Sequence, residues 1–151
     1  ILLPIRPEYA NKIIDQTKLF EYRKNICKRK IDKIVIYSTS PVKRIVAEVE
    51  VKSVLSNTPS KLWNETKQYS GISKSKYMKY FENKEKAYAY ELGKIIVYKQ
   101  PKLLKDFGIN YYPQSYVYLT NWCLRLCEKN VKWLIDKYTK TLFLTCRSQI
   151  V

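Results

Sequence analysis

Residues 16–23 read Gln-Thr-Lys-Leu-Phe-Glu-Tyr-Arg and mark the junction between a predicted first helix and a predicted second strand. From residue 18 onward the side chains alternate with the two-residue period of a strand, so Glu21 and Arg23 project from one face and can share a pocket. Lys18 has the opposite parity, but it lies where the strand begins, and its long side chain can reach the same space. The stretch therefore predicts a charged group of three at the start of a strand.

The predicted elements follow a mixed β-α-β order at the start of the chain and are mostly consecutive, meandering strands later. A short strand at 1–5 precedes a helix that opens at Pro7, because proline is tolerated in a first helical turn. Further helices are predicted after Thr58 and after Ser73. The predicted strands are 1–5, 18–23, 33–37, 44–54, 87–92, 94–99 and 114–119, with Gly93 as a break between two of them. This order predicts an α+β fold, a small closed or half-closed β-barrel with short flanking helices.

The last part of the chain has a different pattern. Apolar residues from Trp122 to Tyr138 recur at helical spacing, so residues 120–151 are predicted to form a C-terminal helical extension. The predicted domain boundary lies between residues 1–119 and 120–151. We expect the extension to pack on the barrel or to serve self-association.

The composition favours a polyanionic partner. The chain has 151 residues and a formal net charge of +16 with no histidine. Such an excess attracts nucleic acid, although biased codon usage can also produce it. The lack of histidine excludes Ser-His-Asp and Cys-His mechanisms, so chemistry would fall to groups such as Lys and Glu. Since no apolar run reaches membrane-spanning length and the start is too short for a signal peptide, we expect a soluble, cytoplasmic protein with no membrane partner.

The cysteines do not predict a metal centre. The sequence contains Cys27, Cys123, Cys127 and Cys146, and none has histidine support. The three-residue gap between Cys123 and Cys127 differs from the close pairs of common zinc folds. We expect buried, reduced thiols, no metal and no cofactor.

The motif at residues 16–23 resembles the ASCH domain family, whose fold is related to the PUA barrel. The family pattern is Gly-x-Lys-x-x-Glu-hydrophobic-Arg, and Lys18, Glu21, Tyr22 and Arg23 match it, while Gln16 stands where glycine is usual. The resemblance extends over about residues 1–119. It implies a PUA-like barrel with a cleft lined by the motif, and an activity directed at RNA, other nucleic acid or modified nucleosides.

The three motif residues have usable chemistry. Glu21 can act as a base or orient a water, Lys18 can stabilise an oxyanion or a phosphate, and Arg23 offers a planar fork for a phosphate or for Glu21 itself. The structural alternative is an ion-pair network that joins helix and strand. Some family members are amidohydrolases of acetylated cytidine, but their catalytic Thr falls at Glu21 here, so that activity does not carry over directly. Other members are reported as ribonucleases.

Further candidates lie outside the motif. The turn that follows the third predicted strand and a tryptophan on the second helix could contact a phosphate and a base; these residues are Ser38, Thr39, Ser40, Lys43, Arg44 and Trp63. A Ser/Thr turn and core packing are the structural alternatives. Two basic segments could give sequence-independent phosphate contacts or be ordinary solvated faces: Lys24, Lys28, Arg29 and Lys30, and Lys74, Lys76 and Lys79.

Taken together, these features predict a nucleic-acid-binding protein, acting on RNA above all, with a role in transcriptional or translational regulation. Its cleft would be lined by Lys18, Glu21 and Arg23. One alternative is a hydrolase, either a ribonuclease or an acylcytidine amidohydrolase-like enzyme, with Lys18 and Glu21 as catalytic residues. Another is a protein-interaction module that uses residues 120–151.

Overall fold

The backbone of the molecule is a five-stranded mixed sheet with three α-helices, seen in a computed structural model that describes residues 1–119. The strands are β1 (Leu2–Ile5), β2 (Phe20–Arg23), β3 (Lys33–Ser38), β4 (Arg44–Asn57) and β5 (Ala87–Lys102). The helices are α1 (Pro7–Ile14), α2 (Pro59–Thr66) and α3 (Lys74–Tyr80), with 3-10 turns at Lys67–Tyr69 and Leu104–Phe107. The predicted α+β class is therefore confirmed. The predicted C-terminal helix, residues 120–151, lies outside the described residues.

The described chain divides into two compact units. Residues 1–103 and 113–118 form one unit, which contains the whole sheet and the three α-helices. Residues 104–112 belong to the other unit, where the N–H of Gly108 donates to the carbonyl of Lys105 with the three-residue spacing of a 3-10 turn.

The strand order β1-β3-β4-β5-β2 leaves β1 and β2 as the two edges of the sheet. β1 pairs with β3 in parallel, and the other pairs are antiparallel. The expectation of a barrel is wrong, because the sheet is not closed and no ladder joins β1 to β2 within residues 1–119. Each edge strand has only four residues, and Pro4 has no N–H to offer a neighbouring strand. We call the gap between β1 and β2 the seam.

Two hydrophobic clusters hold the helices against the sheet. One packs Ala10 and Ile13 of α1 against residues of β1, β3 and β4 such as Ile5, Ile36 and Val49. The other cluster lies on the face of β2 that carries Tyr22, away from Glu21 and Arg23, and it joins this face to α2 and α3. Its buried members are Tyr22, Leu62, Trp63, Tyr77, Phe81, Ala87 and Ala89. The helix starts follow local signals, since Pro7 and Pro59 occupy first turns and the Ser73 side chain accepts from the N–H of Lys76.

The predicted strand pattern differs from the structure in two main respects, besides shifts of one to three residues at the ends of other strands. β5 runs without interruption through Gly93, where a break was expected. Residues 114–119 do not form a strand; they contribute an isolated antiparallel bridge between Val117 and Leu2 on the outer side of β1. The sheet thus has fewer strands than the sequence predicts, and one of them, β5, is longer than predicted.

Candidate functional site

A cavity of about 730 Å³ opens at the seam. Its walls come from the two edge strands β1 and β2, from the beginning of α1 and from α3. The cavity therefore occupies the space in which a closed barrel would have paired β1 with β2. We call it the seam cavity. Its lining includes Pro4, Arg6, Glu8, Tyr9, Lys18, Glu21, Tyr22, Arg23, Lys24, Ile72, Lys76, Tyr77, Lys79 and Tyr80.

Lys18 forms the floor of the seam cavity and is almost fully buried, with 2% of its surface exposed. Its Nζ donates to the carbonyl of Ser70 at 3.0 Å, lies 3.7 Å from Oε2 of Glu21 and sits 4.6 Å from the ring centre of Tyr22. Burial lowers the pKa of Lys18, and the nearby Glu21 carboxylate opposes that shift. The ammonium is therefore held in place by a carbonyl, a carboxylate and a ring.

Gly71 makes room for the Lys18 side chain. A Cβ built at Gly71 would lie 2.5 Å from Cβ of Lys18, and the backbone there has a φ of +64°. Both conditions favour glycine, because any other L-residue would strain the backbone and push the lysine away. The Nζ of Lys12 donates to the carbonyl of the same glycine at 2.8 Å, which ties this segment to α1.

Arg23 bridges the seam. One of its terminal nitrogens donates to the carbonyl of Pro4 on β1 at 2.9 Å and also lies 3.0 Å from Oε1 of Glu21 on its own strand. Its buried Nε has no hydrogen-bond partner among the described residues. Glu21, 7% exposed, is thus paired with Lys18 on one oxygen and with Arg23 on the other. The three motif residues converge at the inner wall of the cavity with a net positive charge.

The rim of the seam cavity is basic and aromatic. Six cationic side chains line the cavity against two carboxylates, and Lys76 forms an exposed ion pair with Glu8 at 3.9 Å. Nζ of Lys24 lies 5.0 Å from the ring centre of Tyr80, which is 38% exposed. Burial is the main cause that raises the pKa of Tyr80. Such a rim offers both charge and a ring face to a ligand.

The other predicted binding residues lie elsewhere. Ser38 is buried at the end of β3, and the N–H of Thr39 donates to the carbonyl of Ile5. Trp63 is buried in the second core cluster with its ring centre 4.9 Å from that of Tyr77, so it packs in the core rather than facing the cavity. The described lining of the seam cavity does not include the remaining predicted residues, Ser40, Lys43 and Arg44.

Several lining residues did not follow from the sequence. Arg6 and Tyr9 reach the cavity because the parallel pairing of β1 with β3 leaves the β1–α1 junction beside β2. The sequence predicts Lys76 and Lys79 only as general phosphate contacts, and it gives no indication of what Tyr80 faces. The one usable signal was the run of basic residues on α3, which gives no indication of what it faces.

The described residues contain neither a candidate metal centre nor a candidate membrane-spanning helix. Residues 1–119 contain no group of three or more Cys, Asp or Glu side chains placed to hold a metal ion. Within the same residues, no helix has the length and apolar character needed to cross a membrane. Cys27 is a free, buried thiol.

An α+β domain with an open five-stranded sheet and a cationic cavity at its seam is the class that this fold and site define. The chain belongs to the ASCH domain family, whose sequence model matches residues 3–96. A crystal structure of ASCH from Zymomonas mobilis is similar, with a TM-score of 0.78, 26% sequence identity and coverage of 85% of this chain and 92% of that chain.

Curated relatives point to two settings for the domain. A protein from Zymomonas mobilis named ASCH domain-containing ribonuclease is 29% identical over 92 residues, which is 60% of this chain and 62% of the relative. Two Ureaplasma parvum proteins are each 31% identical over 120 residues, or 79% of this chain. They are named ATP synthase subunit alpha and large ribosomal subunit protein uL22, and the similar segment makes up 15% and 39% of their lengths. The chain thus spans a minor part of these two relatives.

Proposed function

We propose that the seam cavity binds single-stranded RNA. The observation that carries this proposal is the lining itself, in which six cationic side chains, the exposed ring of Tyr80 and the half-buried ring of Tyr9 share about 730 Å³ with two carboxylates. Cations along a groove neutralise phosphates, and aromatic rings stack on unpaired bases, which is how single strands are commonly gripped. The relative named as an ASCH domain-containing ribonuclease supports RNA as the polymer.

The buried and the exposed residues of the cavity would have different roles in binding RNA. Lys18 and Arg23 are fixed by their partners and would present positive charge at a defined place, so no ordering is needed when a phosphate arrives. Lys24 and Lys79 on the rim would contact neighbouring phosphates, and Tyr80 would stack on a base. Glu21 would keep the side chains of Lys18 and Arg23 in fixed positions relative to each other.

The test is the affinity for a fluorescently labelled single-stranded RNA of twelve nucleotides. The double variant Lys24→Gln/Lys79→Gln removes two rim charges, and Lys61→Gln/Lys94→Gln removes two exposed charges that do not line the cavity. At about 0.15 M salt, where long-range attraction is screened, we expect about tenfold weaker binding for the rim variant, equivalent to about 1.4 kcal/mol, and little change for the control. Equal losses in both variants would show that the seam cavity is not the binding site.

A second candidate function is RNA cleavage, favoured by the name of that relative and by the contact of 3.7 Å between Lys18 and Glu21. In this reaction Glu21 would take the proton of a ribose 2′-hydroxyl, whose oxygen attacks the adjacent phosphorus. The bond from phosphorus to the 5′-oxygen breaks, and that oxygen takes a proton from water. Lys18 and Arg23 would stabilise the charge that develops on the phosphoryl oxygens.

The isosteric variant Glu21→Gln tests cleavage separately from binding. We expect it to abolish the cleavage of RNA while it retains RNA affinity, because the cations of the cavity remain. A 2′-deoxy nucleotide at the cleavage position should also resist the wild-type protein. A clean preparation that leaves RNA intact, with and without divalent metal, would rule out cleavage and leave the binding proposal standing.

A further inference from the structure

A second, smaller cavity of about 300 Å³ lies beside the loop that follows β2. We call it the loop cavity. One wall is residues 26–31 and the other is the middle of β4 with Tyr90 of β5. Its charged lining residues are Lys28, Arg29, Lys30 and Lys52, all exposed, and none of its described lining residues is acidic. The imbalance of charge is thus sharper than in the seam cavity.

The loop is anchored rather than loosely attached. Cys27 is buried, and its backbone N–H donates to the hydroxyl of Tyr90 at 3.3 Å, which fixes the loop against β5. The three cationic residues that follow start from this fixed point. The wall formed by β4 and β5 is irregular, because the pairing of these strands shifts register on both sides of Val51. Such irregularities turn side chains out of the regular pleat and are common beside functional sites.

The two cavities are joined by one short segment. Lys24 lines the seam cavity, and Lys28 lines the loop cavity four residues later. Four residues span at most about 14 Å even when fully extended. Small single-strand-binding domains commonly cover about 4 to 16 nucleotides, so one strand is long enough to reach both places.

We propose that the loop cavity holds backbone phosphates of the same RNA strand that occupies the seam cavity. This rests on the proposed function of the seam cavity and extends it to a longer binding path along residues 24–30. The seam cavity has tyrosine rings and would read one or a few bases. The loop cavity has cations and no exposed ring among its described lining, so it would contact the phosphodiester backbone without regard to sequence.

The experiment compares a trinucleotide with a twelve-nucleotide single-stranded RNA. The test variant is Lys28→Gln/Lys30→Gln/Lys52→Gln, and the matched control is Lys61→Gln/Lys84→Gln/Lys94→Gln, which removes the same charge from exposed positions outside both cavities. We expect the wild type to bind the longer RNA at least tenfold more tightly than the trinucleotide. The test variant should lose most of this gain. Its plot of log affinity against log salt should also be less steep by about 2, because each of the three lost phosphate contacts contributes about 0.7 to the steepness.

The trinucleotide separates the two proposals. If its affinity is unchanged in the test variant while the longer RNA binds more weakly, both proposals stand. If the test variant and the control bind the longer RNA equally well, the loop cavity is not part of the path, although the seam cavity can still be the site. If the wild type binds neither RNA, both proposals are overturned. Urea unfolding of the three proteins checks that the exposed substitutions leave the fold intact.

Discussion

Gln16 occupies a backbone conformation that suits glycine. Its φ is +58°, and its N–H donates to the carbonyl of Ile13, so it ends α1 in the left-handed conformation typical of a helix C-terminus. A residue with a Cβ adopts this conformation at a cost of about 1 kcal/mol. This turn explains the glycine that the family usually has at this position, and Gln16 adopts the same left-handed conformation here.

Replacing Gln16 by glycine should stabilise the protein. We expect Gln16→Gly to raise the free energy of unfolding by up to about 1 kcal/mol, because strain is relieved and only part of the gain is lost to the greater freedom of the unfolded chain. Urea denaturation measures the change. Gln16→Ala retains the strain and serves as the control. A glycine variant less stable than the alanine variant would contradict this account.

Tyr22 makes stability depend on pH above neutrality. Its hydroxyl donates to Oγ1 of Thr66 at 2.8 Å, and burial raises the pKa of Tyr22 from 10.0 to about 12. Because the folded state favours the neutral phenol, this contribution to stability is full below pH 10 and is lost as the pH rises toward 12. Unfolding of Tyr22→Phe and wild type at pH 8, 10 and 11 should therefore converge as the pH rises.

The exposed Tyr111→Phe is the matched control for that comparison, since its ring is 59% exposed. Tyr111→Phe removes a hydroxyl outside the core, so it shows how the loss of an exposed tyrosine changes unfolding over the same pH range. If Tyr22→Phe kept a constant difference from wild type, the phenol of Tyr22 would not be responsible for the loss of stability in alkali.

At the scale of single residues, parity along the strand and the length of the lysine side chain were enough to group Lys18, Glu21 and Arg23. The environment of Trp63 was not accessible in the same way. Its helical position shows which face it shares with neighbours, but only the packing of α3 against α2 buries that face. Aromatic residues in small domains are ambiguous from sequence for this reason.

At the scale of elements, Arg23 connects two strands that do not pair. Its guanidinium supplies the carbonyl of Pro4 with a donor that a neighbouring strand would otherwise supply. We expect Arg23→Met to lower the free energy of unfolding by about 2 to 3 kcal/mol, because hydrogen bonds to charged groups are lost and Glu21 is left with Lys18 alone. The midpoint of urea denaturation measures this.

Arg23→Lys is the informative companion to that variant. An ammonium retains the charge but not the planar fork, so it should recover part of the loss. If methionine and lysine variants are equally stable, charge at this position contributes nothing to holding the seam. If methionine is as stable as arginine, the bridge itself is unimportant.

Helix starts were predictable from the sequence because their signals are local. Pro7, Pro59 and Ser73 act within a single turn. Gly93 shows the limit of such signals. It lies inside β5, and a Cβ built there would come within 2.7 Å of the Glu50 carboxylate, so the glycine permits close approach rather than breaking the strand. Barrel closure likewise depends on how far distant strands curl toward each other, which no local pattern encodes.

At the scale of the whole molecule, the net charge of +16 should govern the rate of RNA association. A positive field attracts a polyanion before contact, and salt screens that field over about 10 Å at 0.1 M. We expect kon to fall about tenfold between 50 and 500 mM salt. Stopped-flow fluorescence with labelled RNA measures both rate constants.

The distant-charge variant Lys61→Gln/Lys84→Gln/Lys94→Gln distinguishes steering from contact. It should lower kon at low salt and leave koff unchanged, whereas the rim variant Lys24→Gln/Lys79→Gln should raise koff. If the distant variant changed koff as much as the rim variant does, the charges would act through contacts and not through the field.

The charge predicts a polyanionic partner from the sequence, but it does not predict the place where that partner would bind. The basic residues are spread along the chain, and only the fold gathers Arg6, Lys24, Lys76 and Lys79 around one opening. They come from the junction of β1 with α1, the end of β2 and the helix α3. A site assembled from separate elements leaves no spacing pattern in the sequence.

The open seam has a further consequence for self-association. An unpaired strand edge can accept a strand from another copy of the chain, which is a common beginning of aggregation. Here Pro4 offers no N–H, its carbonyl is already occupied by Arg23, and Lys24 places charge at the end of β2. The basic residues that we propose for RNA binding therefore also guard the edges against pairing with a second copy. Neutralising them should weaken RNA binding and make the protein more prone to aggregate at the same time.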